Sequence, residues 1–467
     1  MPDRIVPFPS GVDRALIDKY SGALPRYTSY PTVPHFLSTF DEKQYFAAHR
    51  RSMVARSPLG LYLHLPFCRS LCTYCACNRK ITQSRDTIRR YLDYLKREIG
   101  LISPQIGRPV GRIHWGGGTP TYLTETEARE LLDTLRCHFD VLPDASLNIE
   151  GDPRELPKSY LHALADMGFR RLSLGVQEFD QTVQETIGRI QPPELVERVV
   201  SDARTVGFER INFDLIYGLP YQSEDTTEQT LEHLRQMQPD SLSVFGYAHV
   251  PWMMKNQRLI PEDALPSPAE RVALFLQLAR GLEDAGYQPI GLDHFAAPGH
   301  PLLKGLKEGR LHRNFQGYTL NPDMEVLAFG VSAISQFRDA YAQNVKNFRS
   351  YYEAIDEGHL PIHRGINLTA EDQRRRFIIN RLMCDLDVQK DTVEPAPPRP
   401  FDLHFKLALE RLEPLARDGL IGLMKDRITV SPSGRLFIRH IASAFDAYLQ
   451  RGTPTSEEPA RQHASSL

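Results

Sequence analysis

Four of the six cysteines lie within ten residues, spaced Cys68-x3-Cys72-x2-Cys75-x1-Cys77, at the end of the apolar stretch LYLHLPF. Thiolates are soft, strongly donating ligands, and each iron of a four-iron cubane takes one of them. A loop that offers three leaves one iron open to an added ligand. Structural zinc would want a second cysteine or histidine pair at a distance, for which His64 with Cys68 is a poor substitute. Cys72 and Cys75 also fit a dithiol redox pair, which leaves the other two cysteines unexplained. On spacing alone these readings stay open, with the open cluster favoured. Cys137 and Cys384 stand alone in helical-looking stretches and read as buried structural thiols.

Such a loop needs a rigid base. Short apolar, β-branched runs recur between helical patterns: LYLHLPF (61–67), RIHWGG (112–117), SLNIEG (146–151), RLSLGVQ (171–177), RINFDLIYG (210–218) and SLSVFGYAH (241–249). Between them TIRRYLDYLKREIG, ETEARELLDTLRCHF and ELVERVVSDARTVGF carry apolar residues three and four apart. These βα units predict an α/β fold around a parallel sheet, either a partial (β/α)6 barrel or a doubly wound open sheet. In both, sites form at the carboxyl ends of strands. Polar and glycine-rich residues gather there: HLPFC, WGGGTP, EGDP, GVQ, DLIYGLP and YAH.

The chain has 467 residues, 41% of them hydrophobic and 24% charged, as in ordinary globular proteins. No run approaches the roughly 18 apolar residues of a spanning helix, and the N-terminus has no export signal, so a cytoplasmic protein without membrane insertion is expected. With 56 basic and 58 acidic residues, nothing argues for nucleic acid as a partner. The expected division is an N-terminal extension (1–55), a barrel (56–300), a mainly helical region (301–390), a helical, winged-helix-like module (391–450) and a disordered tail (451–467).

CxxxCxxC with an aromatic residue, Tyr74, before its last cysteine resembles the signature of the radical S-adenosylmethionine superfamily. RYTSYPT, LYLHLPFCRSLCTYCACN, HWGGGTPTYL, LSLGVQEF, DLIYGLP, LHRNFQGYT and GVSAIS, in this order, are similar to the oxygen-independent coproporphyrinogen III oxidases, or coproporphyrinogen dehydrogenases. The resemblance implies conversion of two propionates of coproporphyrinogen III to vinyl groups, giving protoporphyrinogen IX. The agent is a 5′-deoxyadenosyl radical made from S-adenosylmethionine. It implies a [4Fe-4S] cluster, two molecules of S-adenosylmethionine, a low-potential donor such as flavodoxin or ferredoxin, an unidentified electron acceptor and a monomer. It also places the cluster in the 56–300 barrel and lets 301–390 complete the active site. Haem chaperones, the alternative, resemble this family but lack the counterparts of Cys77 and RYTSYPT.

By the same resemblance Cys68, Cys72 and Cys75 hold the cluster and Cys77 does not. Gly116, Gly117 and Gly118 with Thr119 hold the methionine part of the cosubstrate, Glu150 accepts its hydrogen bonds, and Tyr62 and Ile334 flank it. A second cosubstrate site maps onto Tyr74, Gly118, Thr119, Gln177, Arg189, Asp214 and Ala248. Each has a plainer reading: a tight turn for the glycines, core packing for Tyr62 and Ile334, solvated surface for Arg189. Gly151 departs from the branched residue of the family, which predicts a looser strand end. A substrate with four carboxylates calls for basic groups, for which Arg26, Arg79, Lys80, His312 and Arg313 are candidates.

Overall fold

A computed structural model describes residues 5–52, 57–321 and 324–449. The tail expected at 451–467 lies outside them. The chain divides into two compact units, the first made of Phe36–Asp214 with Asp323–Asn367, the second of Met1–His35, Leu215–Pro322 and Leu368–Leu467. The main strands, in chain order, are β1 (Leu59–Leu65), β2 (Val110–Gly117), β3 (Val141–Gly151), β4 (Phe169–Gln177), β5 (Arg210–Tyr217), β6 (Ser241–Gly246), β7 (Gln288–Ile290), β8 (His294–Ala296), β9 (Val326–Phe329), β10 (Ile334–Gln336), β11 (Ala340–Asn344) and β12 (Ile362–Asn367). The chain passes from the first unit to the second within β5.

In the first unit the order is β12-β11-β10-β9-β1-β2-β3-β4, then the start of β5. β1 pairs parallel with both β2 and β9, and β2, β3 and β4 continue the parallel run. Strands that follow one another in both chain and sheet suit a partial barrel. A doubly wound sheet would reverse its order at the centre. Parallel strands are covered on both faces, which is why LGLYLHL is almost uniformly apolar and buried. The helix Arg85–Ile102 packs through Ile88, Tyr91, Leu92, Leu95, Ile99 and Ile102, the i, i+3, i+4 stripe its sequence shows. Its N-cap, Ser84, accepts from Thr87 N.

The expected mainly helical pattern beyond residue 300 is corrected here. β9 to β12 extend the sheet, β10 to β12 antiparallel. They are short, and VLAF in β9 is buried throughout, so it shows no alternation to separate a strand from a turn of buried helix.

The second unit contains β6, β8 and β7 as an antiparallel trio. A three-stranded sheet sets Asp387–Gln389 and Ile421–Leu423 against Arg427–Val430, beside the helices Ala370–Asp385 and Lys406–Arg417. RYTSYPT belongs to this unit: Tyr27 Oη donates to Asp446 (3.1 Å), and Tyr30 Oη accepts from Ala447 N (3.0 Å). Cys384 sits, as expected, in a core with Ile290, Leu303, Leu311 and Tyr318. Cys137 is exposed instead. The helix Glu125–His138 buries Ala128, Leu131, Leu132 and Leu135, and residue 137 falls off that stripe.

Candidate active site

The carboxyl ends of β1 to β4 carry the cysteine loop. It leaves β1 through Phe67–Cys68 and returns at Lys80–Ile81, and the two pairs form a short parallel clamp. Lys80 N donates to the Pro66 carbonyl at 2.6 Å and Thr82 N to that of Cys68 at 3.2 Å. Midway, Thr73 N donates to the Ile187 carbonyl at 2.9 Å. The loop is therefore held at its base and its middle.

Donors surround the sulfurs. Thr119 Oγ1 lies 3.4 Å from Cys68 Sγ, and Arg189 Nη1 and Arg154 Nη2 lie 3.7 and 3.9 Å from Cys72 Sγ. A hydrogen bond from Cys77 draws the Cys75 thiol down to about 6 and pushes Cys77 up. No cysteine is in a disulfide. Among the described residues no three His, Cys, Asp or Glu side chains converge as a single metal ion requires. A cluster distributes its thiolates over separate irons, so the loop suits a cluster better than zinc.

The glycine run lets the end of β2 press against β1. Gly117 has φ 121°, and a Cβ there would meet the His64 ring at 2.8 Å; one on Gly118 would meet the Pro66 carbonyl carbon at 2.7 Å. Gly116 makes room for the carboxylate of Glu150, which would lie 2.7 Å from a Cβ. The run is thus more than a turn.

Glu150 Oε1 accepts from His114 Nε2 at 3.0 Å and Oε2 from Gly117 N at 3.1 Å. Burial alone would raise its pKa, but His114 and the amide outweigh that and hold the carboxyl below its ordinary value. The side chain keeps 39% exposure, so lone pairs remain for a ligand. The Tyr62 ring stacks on His114 at 5.8 Å and 17°. Its hydroxyl lies 3.1 Å from His64 Nδ1, while His64 Nε2 lies 2.9 Å from the Asn78 carbonyl. A carbonyl only accepts, which puts the His64 proton on Nε2 and leaves Nδ1 to accept from Tyr62. Burial lowers the His64 pKa and keeps the ring neutral.

Arg189 is not solvated surface. It is buried and donates to Asp152 at 2.9 Å and to the Gly175 carbonyl. Asp152 also binds Arg154 at 2.7 Å. Gln177 ends β4 at φ 69°, a left-handed backbone that is unusual for this residue. Asp214 accepts from Ser173 (3.2 Å) and Asn212 (2.9 Å). Tyr74 and Thr119 are half-buried, and Ile334 is half-buried at the start of β10. Ala248 lies in the second unit, just after β6. Gly151 does not loosen its strand. It pairs with Leu174, and Leu156 fills the space a Cβ would need, 2.9 Å away.

The basic candidates fare unevenly. Arg79 donates to the Cys77 carbonyl, and Lys80 sits over the Phe348 ring at 4.9 Å. His312 is corrected as a cationic carboxylate partner: burial and then Arg381 and Arg376 press it down to about 3, so it is neutral. Arg313 is already committed to Asp293 at 3.5 Å. Arg26 lines a cavity of the second unit. Sequence reading passed over His114, Asn78, Asp152 and Arg154. The first could have been found, because His114 is two residues before Gly116 and so shares the strand face on which Glu150 lies.

Residues 62–234 match the Radical SAM superfamily and residues 368–437 the HemN C-terminal domain. The oxygen-independent coproporphyrinogen III oxidase of Escherichia coli (strain K12) is 43% identical over 444 residues, covering 94% of this chain and 96% of the relative. The chain belongs to the oxygen-independent coproporphyrinogen III oxidase family. A member from Synechocystis sp. is 39% identical, covering 93% of this chain and 95% of the relative. The solved structure of coproporphyrinogen III oxidase (HemN) from Escherichia coli, described as a radical SAM enzyme, matches with a TM-score of 0.88 and 42% identity, over 93% of this chain and 99% of that one. The family's α/β radical SAM fold, with its partial barrel, is therefore the fold of this chain. Among the described residues no helix is long and apolar enough to cross a membrane.

Proposed function

We propose that this chain converts two propionates of coproporphyrinogen III to vinyl groups without oxygen, giving protoporphyrinogen IX for porphyrin synthesis. The end-to-end similarity to the Escherichia coli oxidase, 43% over 94% of the chain, carries this reading. Each propionate loses one hydrogen atom, carbon dioxide and one electron, and the electron goes to an acceptor.

Cys68, Cys72 and Cys75 would hold a [4Fe-4S] cluster, which would supply one-electron reductive cleavage of S-adenosylmethionine, a radical chemistry that suits an unactivated C–H bond with no acidic proton. The Glu150 carboxylate, ionised and half exposed, accepts hydrogen bonds from the cosubstrate. Gly117, Gly118 and Thr119 offer backbone groups, and Tyr62 and Ile334 flank it. A second S-adenosylmethionine is assigned to Tyr74, Gly118, Thr119, Gln177, Arg189, Asp214 and Ala248. Arg189, committed to Asp152, serves there by holding Cys72 and the end of β4. The electron donor is a low-potential flavodoxin or ferredoxin, and the enzyme works as a cytoplasmic monomer.

The test is anaerobic turnover with coproporphyrinogen III, S-adenosylmethionine and a low-potential reductant. Divinyl product with matching 5′-deoxyadenosine and methionine is expected. Stoichiometric haem binding without vinyl product would instead identify a haem chaperone.

A further inference from the structure

Within the second unit a cavity of about 50 Å³ is walled by four arginines, Arg26, Arg271, Arg435 and Arg439, and by a single acid, Asp293. That acid is taken, by His294 at 2.7 Å and by Arg313 at 3.5 Å. The arginines turn to backbone carbonyls: Arg26 to Gly246 (2.7 Å), Arg271 to Tyr247 (2.9 Å), Arg439 to Pro25 (3.0 Å) and Arg435 to Gly291 (3.0 Å). Carbonyls satisfy N–H groups but do not neutralise charge. Burial, and then the neighbouring Arg26, depress Arg439 to about 9, and burial also lowers Arg271. Arg271 Nε has no hydrogen-bond partner.

The backbone makes room for this crowding. A Cβ on Gly246 would lie 2.9 Å from Tyr217 Oη and 3.2 Å from Arg271 Nη2, and one on Gly218 would lie 3.0 Å from Arg271 Nε. Cations gathered around an open space, with their own acid already engaged, are arranged for an anion from outside. Planar guanidinium groups favour a planar, bidentate partner. A volume of about 50 Å³ admits a carboxylate end and excludes a macrocycle.

We propose that this cavity is a carboxylate-binding subsite in which Arg26, Arg271 and Arg439 take one carboxylate arm of a bound ligand. Resting on the function proposed above, the arm is a propionate of the tetrapyrrole; the amino-acid carboxylate of S-adenosylmethionine is the other source of the same chemistry.

The test titrates the anaerobically reconstituted full chain with coproporphyrin III, with its tetramethyl ester and with S-adenosylmethionine. In Arg271→Gln and Arg439→Gln the Kd for coproporphyrin III should rise about tenfold, the loss of one charge-assisted pair. Neither the ester nor S-adenosylmethionine should distinguish the variants from the parent. Arg271→Lys, which keeps the charge and most of the volume, should lose less and covers the case in which a glutamine variant fails to fold. A weakened S-adenosylmethionine affinity with coproporphyrin III unchanged would keep the subsite and assign it to the cosubstrate. If folded variants bind all three probes as the parent does, while the parent turns over coproporphyrinogen III, the subsite is refuted and the function stands. A parent that neither turns over nor binds the porphyrin overturns both.

Discussion

The cysteine loop and the arginine cavity are both dense with charge, and they handle it in opposite ways. Around the loop the buried Arg189 has its counterpart in Asp152, which the half-buried Arg154 shares, and both arginines face the Cys72 sulfur. In the cavity four arginines meet one acid that is already engaged. Compensated charge fixes a geometry in advance, whereas uncompensated charge waits for a ligand. Substitutions should therefore damage the first region through structure and the second through binding.

The largest effect belongs to the loop. Cys68→Ala, Cys72→Ala or Cys75→Ala should reduce iron and sulfide after anaerobic reconstitution from about four each per chain to near zero, and abolish turnover. Cys77→Ala should retain the cluster. Equal loss in Cys77→Ala would mean the ligand set is wrong.

Next comes Asp152→Asn. Asp152 is buried between two arginines, at 2.9 Å from Arg189 and 2.7 Å from Arg154. Removing the carboxylate strands the buried Arg189 and deprives the half-buried Arg154 of its partner, and breaking a buried pair costs about 4 kcal/mol. Denaturant unfolding reads this directly. A loss below about 1 kcal/mol, the range of an exposed pair, would erase the contrast between the two regions.

The two regions also differ in how far the sequence reveals them. Cys68 to Cys77, Gly116 to Gly118 and Glu150 each end a strand, and parallel packing brings strand ends together, so contiguous motifs sufficed. Arg26 opens the RYTSYPT motif and was a candidate from sequence, but Arg271, Arg435 and Arg439 lie in no motif and some 240 to 410 residues further on; only folding gathers them with it. β9 to β12 were hidden for another reason. β9 and β11 are buried throughout and so show no alternation, β10 has only three residues, and the burial of β12 does not alternate. For Arg189 a surface reading stood beside the cosubstrate one because an isolated arginine carries no sign of its partner, and Asp152 lies 37 residues away.

Glu98 is a third case, a buried carboxylate with hydrogen bonds and no cation. It accepts from Tyr351 Oη (2.6 Å), Asn344 Nδ2 (2.7 Å) and Gly330 N (2.8 Å), and so braces the turn that leads to Ile334. Burial outweighs those bonds and raises its pKa from 4.5 to about 7. Between these two values the folded chain binds more protons than the unfolded one, so stability falls as pH rises, by about 3 kcal/mol in all. Glu98→Gln keeps an accepting carbonyl and cannot ionise. Its stability minus that of the parent should be flat below pH 4.5, grow as pH climbs and level off above about 7. A difference independent of pH would show that Glu98 is not titrating in that window.

The smallest expected effect sharpens the comparison most. Arg271→Gln removes a cation that burial and the nearby Arg26 disfavour. The hydrogen bond to the Tyr247 carbonyl goes with it, though glutamine has a donor that can partly replace it. One lost neutral-acceptor bond is worth about 1 kcal/mol, and relief of repulsion opposes it, so the ligand-free variant should unfold within about 1 kcal/mol of the parent. Asp152→Asn and Arg271→Gln then form a pair, one deleting a buried charge that is paired and the other a half-buried charge that faces no free acid. Similar losses in the two would mean that the cavity arginines are structural, and that their charge is compensated after all. A large loss at Asp152 with almost none at Arg271, alongside weakened coproporphyrin III binding in Arg271→Gln alone, is what a preformed scaffold and a waiting anion site require.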